Sequence, residues 1–164
     1  MRTVLLLGAA ICLLTPLAQA QTKISGVAQC AKPTVQHEIQ VGDHPGHVFV
    51  IDQSKCQWTK PIEIEGIKDK QGTGTNFNDV TPYRSRGQGL YIDEWANGDK
   101  TFVQTRSFSR MKDGKLVSGE GTWSFVGGTG KMGKIKAKGT FKFHPNPDGT
   151  VTYDIAGEYT PPAK

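Results

Sequence analysis

Residues 121–141 read GTWSFVGGTGKMGKIKAKGTF and contain a literal G-x-G-x-x-G that runs from Gly128 to Gly133. A dinucleotide-binding loop of this spacing needs a helix after it, because the N-terminus of that helix receives the pyrophosphate. Residues 134–143 instead alternate with a period of two and include Gly139, a pattern that is typical of a strand. We therefore interpret the glycines as a tight connection between two paired strands and predict no nucleotide or other cofactor.

The same two-residue period dominates the rest of the chain, and no stretch keeps apolar residues at helical spacing for long enough to form a helix. Turn sequences such as Ala96–Asp99, which carries an Asn-Gly pair, and Pro145–Gly149 separate the alternating segments. The strands predicted in the C-terminal half are Gly89–Trp95, Thr101–Arg110, Leu116–Val126, Ile135–Phe143 and Thr150–Tyr159.

The N-terminal half has a weaker pattern. Strand-like segments at Val35–Val41 and His47–Asp52 flank the turn Gly42–Gly46. Residues 71–86 are rich in Gly, Asn and Thr, and we expect only a short strand near Thr73–Phe77 followed by a loop. About eight strands joined by short turns close most readily into an eight-stranded antiparallel up-and-down β-barrel, since closure removes exposed edges, and a β-sandwich is the alternative.

The first 20 residues have the layout of a secretory signal peptide, with a charged start at Arg2, a short apolar run and an Ala-x-Ala site that ends at Ala20. The apolar run is too short to span a bilayer. We therefore expect cleavage after Ala20, a single barrel domain over residues 21–164, and export to the periplasm or beyond the cell.

Cys30 and Cys56 remain after this cleavage, and an even cysteine count in an exported chain suggests a disulfide. Folding the chain back about the Gly42–Gly46 turn brings the two cysteine segments opposite each other. A Cys₂His₂ metal site with His44 and His47 is the alternative, but zinc ligands usually come in closely spaced pairs and these cysteines lie far apart. We therefore predict a disulfide and no metal.

The charge balance is mildly basic, with 20 Lys and Arg residues against 15 Asp and Glu residues. The lysines are scattered, apart from a group at Lys131, Lys134, Lys136 and Lys138 that we interpret as a solvated strand face. The sequence therefore predicts no nucleic-acid partner, and no segment after the signal peptide is apolar enough to be transmembrane. It leaves the oligomeric state open.

A family resemblance rests on five segments, which are Asn97–Lys100, Gly121–Trp123, Gly127–Gly133, Gly139–Phe141 and Gly157–Tyr159. Together they resemble the barrel signature of the allene oxide cyclase and dirigent superfamily, and above all its bacterial exported members. The resemblance implies an eight-stranded barrel of calycin-like shape with an apolar cavity. The plant enzymes of this superfamily cyclise a fatty-acid epoxide, and dirigent proteins steer the coupling of phenoxy radicals. No motif in this chain matches the catalytic residues of either group. Gly121–Trp123 also resembles the G-x-W of lipocalins and avidins, but there it belongs to the first strand.

Residues that share a strand face with aromatic or apolar neighbours are the candidates for lining a ligand cavity. An eight-stranded barrel is wide enough to hold one small ligand, and ligand cavities combine aromatic walls with a few polar groups. The alternation of odd and even positions does not show which face of a strand points inward. A charged residue on a strand more often faces solvent. The candidates for ligand contact are Trp95, Phe102, Arg106, Glu120 and Trp123.

The sequence thus predicts an exported small β-barrel protein that binds a small apolar ligand in its lumen. A cofactor-independent cyclase or isomerase of allene oxide cyclase type is the alternative, since cavity shape and one or two polar groups suffice for such catalysis. A cell-envelope protein that acts through its surface is a further alternative, favoured if Trp123, Phe125 and Phe102 fill the barrel.

Overall fold

The computed structural model describes residues 21–161, which form ten β-strands and one short 3₁₀ helix. The strands are β1 (Thr22–Cys30), β2 (Val35–Gln40), β3 (Val48–Lys60), β4 (Glu63–Ile64), β5 (Ile67–Val80), β6 (Arg84–Trp95), β7 (Lys100–Lys112), β8 (Lys115–Gly128), β9 (Lys136–Pro145) and β10 (Val151–Thr160). The 3₁₀ helix, Met132–Lys134, lies between β8 and β9. The described residues hold no helix long and apolar enough to cross a bilayer.

Eight of these strands close into an antiparallel barrel. The ring runs through β1, β3, β5, β6, β7, β8, β9 and β10 in chain order, and the pairing of β10 with β1 closes it. The strand β3 makes closure possible because it pairs with β1 through one edge and with β5 through the other.

The strand β2 lies outside this ring and prolongs β1 along the same edge of β3. Cys30, the last residue of β1, pairs with Cys56, and the pairing of β2 with β3 begins at Val35 opposite Gln53. The β2–β3 hairpin therefore extends one wall of the barrel beyond Cys30. All residues of β2 are exposed. The outer edge of β2 has no strand partner within residues 21–161.

One end of the barrel is packed shut, and the other is open. The closed end, or floor, consists of buried side chains from β4, the 3₁₀ helix and the nearby strand ends, and these are Ile62, Ile64, Met132, Ile135, Ala137 and Tyr159. Ile64 and Met132 have the deepest positions in it. The open end, or mouth, is surrounded by β2 and by the turns that follow β5 and β7.

The barrel and the disulfide between Cys30 and Cys56, both predicted from the sequence, are confirmed. The predicted C-terminal strands are all present, with shifted bounds. The G-x-G-x-x-G segment joins β8 to β9 through the 3₁₀ helix, and the next element is the strand β9. Its glycines therefore belong to a strand connection that delivers Met132 to the floor.

The strand expected near Thr73–Phe77 and the loop after it are present, but the strand is longer than predicted, because it is part of the 14-residue strand β5. Gly72 and Gly74 do not break β5, because their missing side chains make room for the ring of Tyr91. The sequence interpretation also missed β1 entirely. The predicted signal peptide, residues 1–20, lies outside the described residues.

Candidate functional site

The lumen of the barrel contains a cavity of about 790 Å³ that opens at the mouth. Successive residues of a strand point to opposite faces, and on β6 and β7 the odd-numbered residues point into the lumen. Aromatic rings make up much of the wall, and they come from Trp58, Tyr91, Trp95, Trp123, Phe125, Phe141, Phe143 and Tyr153. The lumen therefore contains a cavity whose wall is largely aromatic.

Two carboxyl groups, from Asp69 on β5 and Asp93 on β6, meet in this cavity. Both residues are almost fully buried, with 3% and 4% of their surface exposed. The indole N–H of Trp58 donates to Oδ1 of Asp93 over 3.3 Å, and the hydroxyl of Thr101 donates to Oδ2 over 3.4 Å. Within the described part of the chain, Oδ1 of Asp69 is buried and has no hydrogen-bond partner. The pair is thus anchored through Asp93, while Asp69 keeps one buried oxygen without a partner.

Thr101 connects this carboxyl pair to a second indole. It is fully buried, and its hydroxyl oxygen accepts a hydrogen bond from the indole N–H of Trp95 over 3.1 Å. Because its oxygen already accepts from Trp95, Thr101 directs its own O–H toward Asp93. Trp95, Thr101 and Asp93 therefore form a hydrogen-bonded chain with a fixed direction of donation.

Burial raises the pKa of both carboxyl groups, because removal from water disfavours the charged form. The neighbouring charge of Asp93 raises the pKa of Asp69 further, since two adjacent carboxylates repel each other. The hydrogen bonds from Trp58 and Thr101 oppose the effect of burial at Asp93, because they stabilise its ionised form. Because burial raises the pKa of both groups, the pair retains at least one proton at neutral pH.

Tyr91 adds a second polar group to the same part of the lumen. Its ring lies over Gly72 and Gly74, where an added Cβ would come within 2.5 Å and 3.1 Å of ring atoms. The phenol oxygen is buried without a hydrogen-bond partner among the described residues. Burial, with a contribution from the charges of Asp93 and Asp69, raises the pKa of this phenol. Tyr91 therefore presents a neutral O–H to the lumen.

The wall becomes polar toward the mouth. Asp52 on β3 accepts hydrogen bonds from the side-chain amides of Asn76 over 3.0 Å and Asn78 over 2.7 Å, both on β5. Burial raises the pKa of Asp52, and these two hydrogen bonds oppose that shift. Ser107 and Ser109 of β7 face the same space. The lumen thus passes from a polar mouth to an aromatic interior.

The structure places two of the five predicted lumen residues in the cavity wall. Trp95 and Trp123 are buried and point inward. Arg106 and Glu120 are exposed on the outer face, because each alternates along its strand with residues that face inward. Phe102 also lies outside the lumen, beside Gly127 of β8. The lumen positions expected for Phe102, Arg106 and Glu120 are therefore corrected.

The sequence interpretation missed the carboxyl pair and Tyr91. The alternation along β6 did not show which face points inward, and Leu90 on the even-numbered face is 44% exposed. A usable signal is present in the odd-numbered positions, where Gly87 and Gly89 precede Tyr91 and Asp93. These glycines make room for neighbouring side chains, since an added Cβ at Gly87 would meet Asn78 and Ser107, and one at Gly89 would meet Asn76.

This arrangement places three polar groups of different character in one aromatic pocket. Asp69 offers a carboxylic acid, Tyr91 offers a phenol O–H, and Asp93 offers a carboxyl group whose pKa burial raises to about 7. The first two donate hydrogen bonds to a hydroxyl or carbonyl oxygen of a ligand, and a carboxylic acid also acts as a general acid toward such an oxygen.

No protein-family model and no curated protein matches this chain. Among solved structures, the chain is similar to the pterocarpan synthase dirigent protein GePTS1, with a TM-score of 0.44 and 13% sequence identity over 96% of this chain and 99% of that chain.

Proposed function

We propose that this protein binds a small, mainly apolar ligand in the barrel lumen and recognises one oxygen-bearing group on it. The observation that supports the proposal most strongly is the pair of unpartnered buried polar atoms, Oδ1 of Asp69 and Oη of Tyr91, inside an open cavity. A buried polar atom without a partner costs free energy, and a ligand oxygen placed between these two atoms removes that cost.

The size and chemistry of the cavity agree with such a ligand. A volume of about 790 Å³ falls in the range of small-molecule sites, which is about 300–1,000 Å³. Transfer of an apolar ligand surface from water to the aromatic wall supplies the driving force, at about 25 cal/mol per Å². The few polar groups then fix the orientation of the ligand and provide specificity.

The second candidate function is a cofactor-independent cyclase or isomerase, and the carboxyl pair favours it. Asp69 is held as an acid beside the carboxylate of Asp93, an environment that enzymes use to keep a general acid protonated at neutral pH. In such a reaction Asp69 donates its proton to a ligand oxygen, and the hydrogen bonds to Asp93 from Trp58 and Thr101 limit the repulsion between the two carboxylates that remain.

We further propose that the protein is exported. The disulfide between Cys30 and Cys56 supports this, because disulfides persist mainly in oxidising compartments. Fractionation of cells that express the full chain, with N-terminal sequencing of the product, tests the proposal. A full-length product confined to the reducing cytosol contradicts it.

A blocked lumen provides the test of ligand binding. An environment-sensitive apolar fluorophore is expected to bind the wild type with micromolar affinity, about −8 kcal/mol. Thr105→Trp places an indole in the lumen from β7 and should abolish this binding. Gln104→Trp adds the same side chain to the exposed face of the adjacent residue and serves as the matched control.

Circular dichroism and thermal unfolding establish that both variants remain folded. Loss of fluorophore binding in Thr105→Trp with retention in Gln104→Trp is the expected result. Equal binding by the two folded variants contradicts a lumen site, as does the absence of binding to the wild type. In those cases the protein acts through its surface.

A further inference from the structure

A second cluster of functional side chains lies outside the lumen, in the loop between β2 and β3. Asp43, His44 and His47 bring one carboxylate and two imidazoles together, and one potential ligand atom from each lies within 4.8 Å of the others. The loop is shaped by Gly42 and Gly46, which have φ angles of 85° and 76° in the left-handed region that favours glycine. The backbone thus folds both histidines onto the same side of the loop.

The two histidines converge on Asp43 through the same ring atom. Nδ1 of His44 lies 3.0 Å from Oδ2 of Asp43, and Nδ1 of His47 lies 2.6 Å from Oδ1. The two imidazole rings stack with their centroids 4.7 Å apart. Both Nδ1 atoms and one carboxylate therefore surround a common point, as the ligands of a metal ion do.

Asp79 supplies an independent observation from a different strand. Its Oδ1 lies 2.9 Å from Nε2 of His47, at the end of β5. A metal-ligating histidine almost always passes its other ring N–H to a carboxylate or carbonyl, which fixes the tautomer and orients the ring. In the structure both ring nitrogens of His47 donate to carboxylates, Nδ1 to Asp43 and Nε2 to Asp79. A metal ion would displace the proton on Nδ1, while Nε2–H stays donated to Asp79.

We infer that Asp43, His44 and His47 form a binding site for a divalent transition-metal ion of the Zn²⁺ type, with Asp79 as the carboxylate that orients His47. Zn–N and Zn–O distances of about 2.0–2.1 Å in a tetrahedral site place neighbouring ligand atoms about 3.4 Å apart. The Asp43–histidine separations of 2.6 and 3.0 Å must open to reach this spacing, and any wider separation in the cluster, which is at most 4.8 Å, must close to it.

The donor set and the exposure of the loop agree with this ion. Imidazole nitrogen with carboxylate oxygen suits Zn²⁺, whereas Mg²⁺ and Ca²⁺ prefer oxygen ligands alone. The side chains of Asp43 and His44 are about half exposed, at 52% and 50%, so that water completes the coordination from the open side. The cysteines once considered as partners are not involved, since Cys30 and Cys56 are bonded to each other.

The site lies where a bound ion would link the β2–β3 loop to β5. Gly46 lines the mouth of the lumen and lies against Pro82, in the turn after β5. His47 carries the contact to Asp79 across the β3–β5 pairing. A metal ion at Asp43 and the two histidines therefore fastens the β2–β3 loop to the end of β5 at the rim of the lumen.

The test is a Zn²⁺ titration of the full mature protein without a histidine tag, after removal of metal with a chelator. Isothermal calorimetry should show one Zn²⁺ per chain. His44→Ala and His47→Ala should each weaken binding at least 100-fold. Asp79→Asn should weaken it by about 10-fold or more, because it removes the carboxylate behind a ligand while leaving all three ligands in place.

The matched control is the His37→Ala, His144→Ala double variant, which removes the two exposed histidines outside the cluster. It should bind Zn²⁺ like the wild type. In ¹⁵N NMR spectra of the imidazoles, Zn²⁺ should shift Nδ1 of His44 and His47, while Nε2 of His47 keeps its proton. His44 is exposed, so His44→Ala keeps the test valid even if His47→Ala fails to fold.

Two results overturn the inference. One is a folded wild-type protein that binds no Zn²⁺ at micromolar concentration, which leaves the cluster as an ion pair between His47 and the two aspartates. The other is Zn²⁺ binding that His44→Ala does not weaken, which places the ion elsewhere. Neither result affects the proposed lumen site, because the fluorophore assay with Thr105→Trp does not depend on metal.

Discussion

Cys30 and Cys56 are register partners as well as disulfide partners, and they sit where β3 exchanges its neighbour β1 for β2. Backbone pairing of β3 with β1 ends at this point, and pairing of β3 with the outer strand β2 begins shortly beyond it. The bond therefore fixes the junction between the closed barrel and the hairpin that extends its wall.

Loss of this bond should lower the free energy of unfolding by about 3.5 kcal/mol, the chain-entropy estimate for a sequence separation of 26 residues. Urea unfolding of the Cys30→Ser, Cys56→Ser double variant against the oxidised wild type measures the difference. Alkylation of wild-type residues 21–164 without reductant should label neither Cys30 nor Cys56. Full labelling of both would show that the bond is absent from the native protein.

The carboxyl pair should make the stability of the protein fall as the pH rises. The pKa of Asp69 is raised above its ordinary value of 3.8, so the folded state keeps a proton that the unfolded state has lost. The contribution of Asp69 to the free energy of unfolding is complete below about pH 4. It declines as the pH rises toward the raised pKa, by up to about 1.4 kcal/mol per pH unit for one proton.

Asp69→Asn keeps the shape of the protonated carboxyl group and removes the titration. Compared with the wild type, the variant should therefore gain relative stability as the pH increases from 5 to 9, measured by urea unfolding at each pH. Asp154→Asn, on the exposed face of β10, is the control and should leave the pH dependence unchanged. If the free energies of unfolding of the wild type and Asp69→Asn change in parallel over this pH range, the folded protein does not retain the proton.

The glycines under Trp123 should tolerate no side chain. At Gly157 an added Cβ would overlap Cζ2 of Trp123 and lie 2.5 Å from the carbonyl oxygen of Lys138. Gly157→Ala should therefore lower the free energy of unfolding by about 1–3 kcal/mol through overpacking. Gly127→Ala is a milder comparison, because there the nearest atom is a side-chain carbon of Phe102 at 3.0 Å. Equal losses in the two variants would show that the Trp123 contact is not the cause.

The lumen should prefer an apolar ligand that carries a hydroxyl group. We expect 2-naphthol to displace the bound fluorophore about fivefold more effectively than naphthalene, the equivalent of about 1 kcal/mol for one neutral hydrogen bond. The Asp69→Leu, Tyr91→Phe double variant removes both polar partners and should abolish the preference. Glu120→Ala, which changes an exposed outer residue, should retain it. A preference that survives in the double variant would place the ligand oxygen elsewhere.

The strand content and closure of the barrel could be predicted because alternation and turn sequences are local properties of the chain. The orientation of each strand could not, because both faces of several strands carry apolar residues. On β6, Leu90 is exposed outside while Asp93 is buried inside. A lumen that holds a ligand reverses the usual rule, since its inner face needs glycine and polar groups.

The two proposed sites differ in how easily they can be recognised from the sequence. His44 and His47 stand three residues apart and attract notice, but the partner that orients His47 is Asp79, 32 positions away. Asp69 and Asp93 look like ordinary surface residues, and only the pairing of β5 with β6 brings them together. Contacts of this kind arise from strand register, which a single sequence does not specify.

The packed floor has a kinetic consequence. Within residues 21–161, Ile64 and Met132 close one end of the lumen, so a ligand that arrives through the mouth must leave by the same passage. A barrier at the rim, for example at Gly46 or Pro82, then slows arrival and departure by the same factor and leaves the equilibrium constant unchanged. For the ligand that we propose, contacts at the inner end, such as one with Asp69, would act on the residence time and not on the rate of arrival. Occupancy and exchange rate can therefore be tuned separately, by residues at opposite ends of one passage.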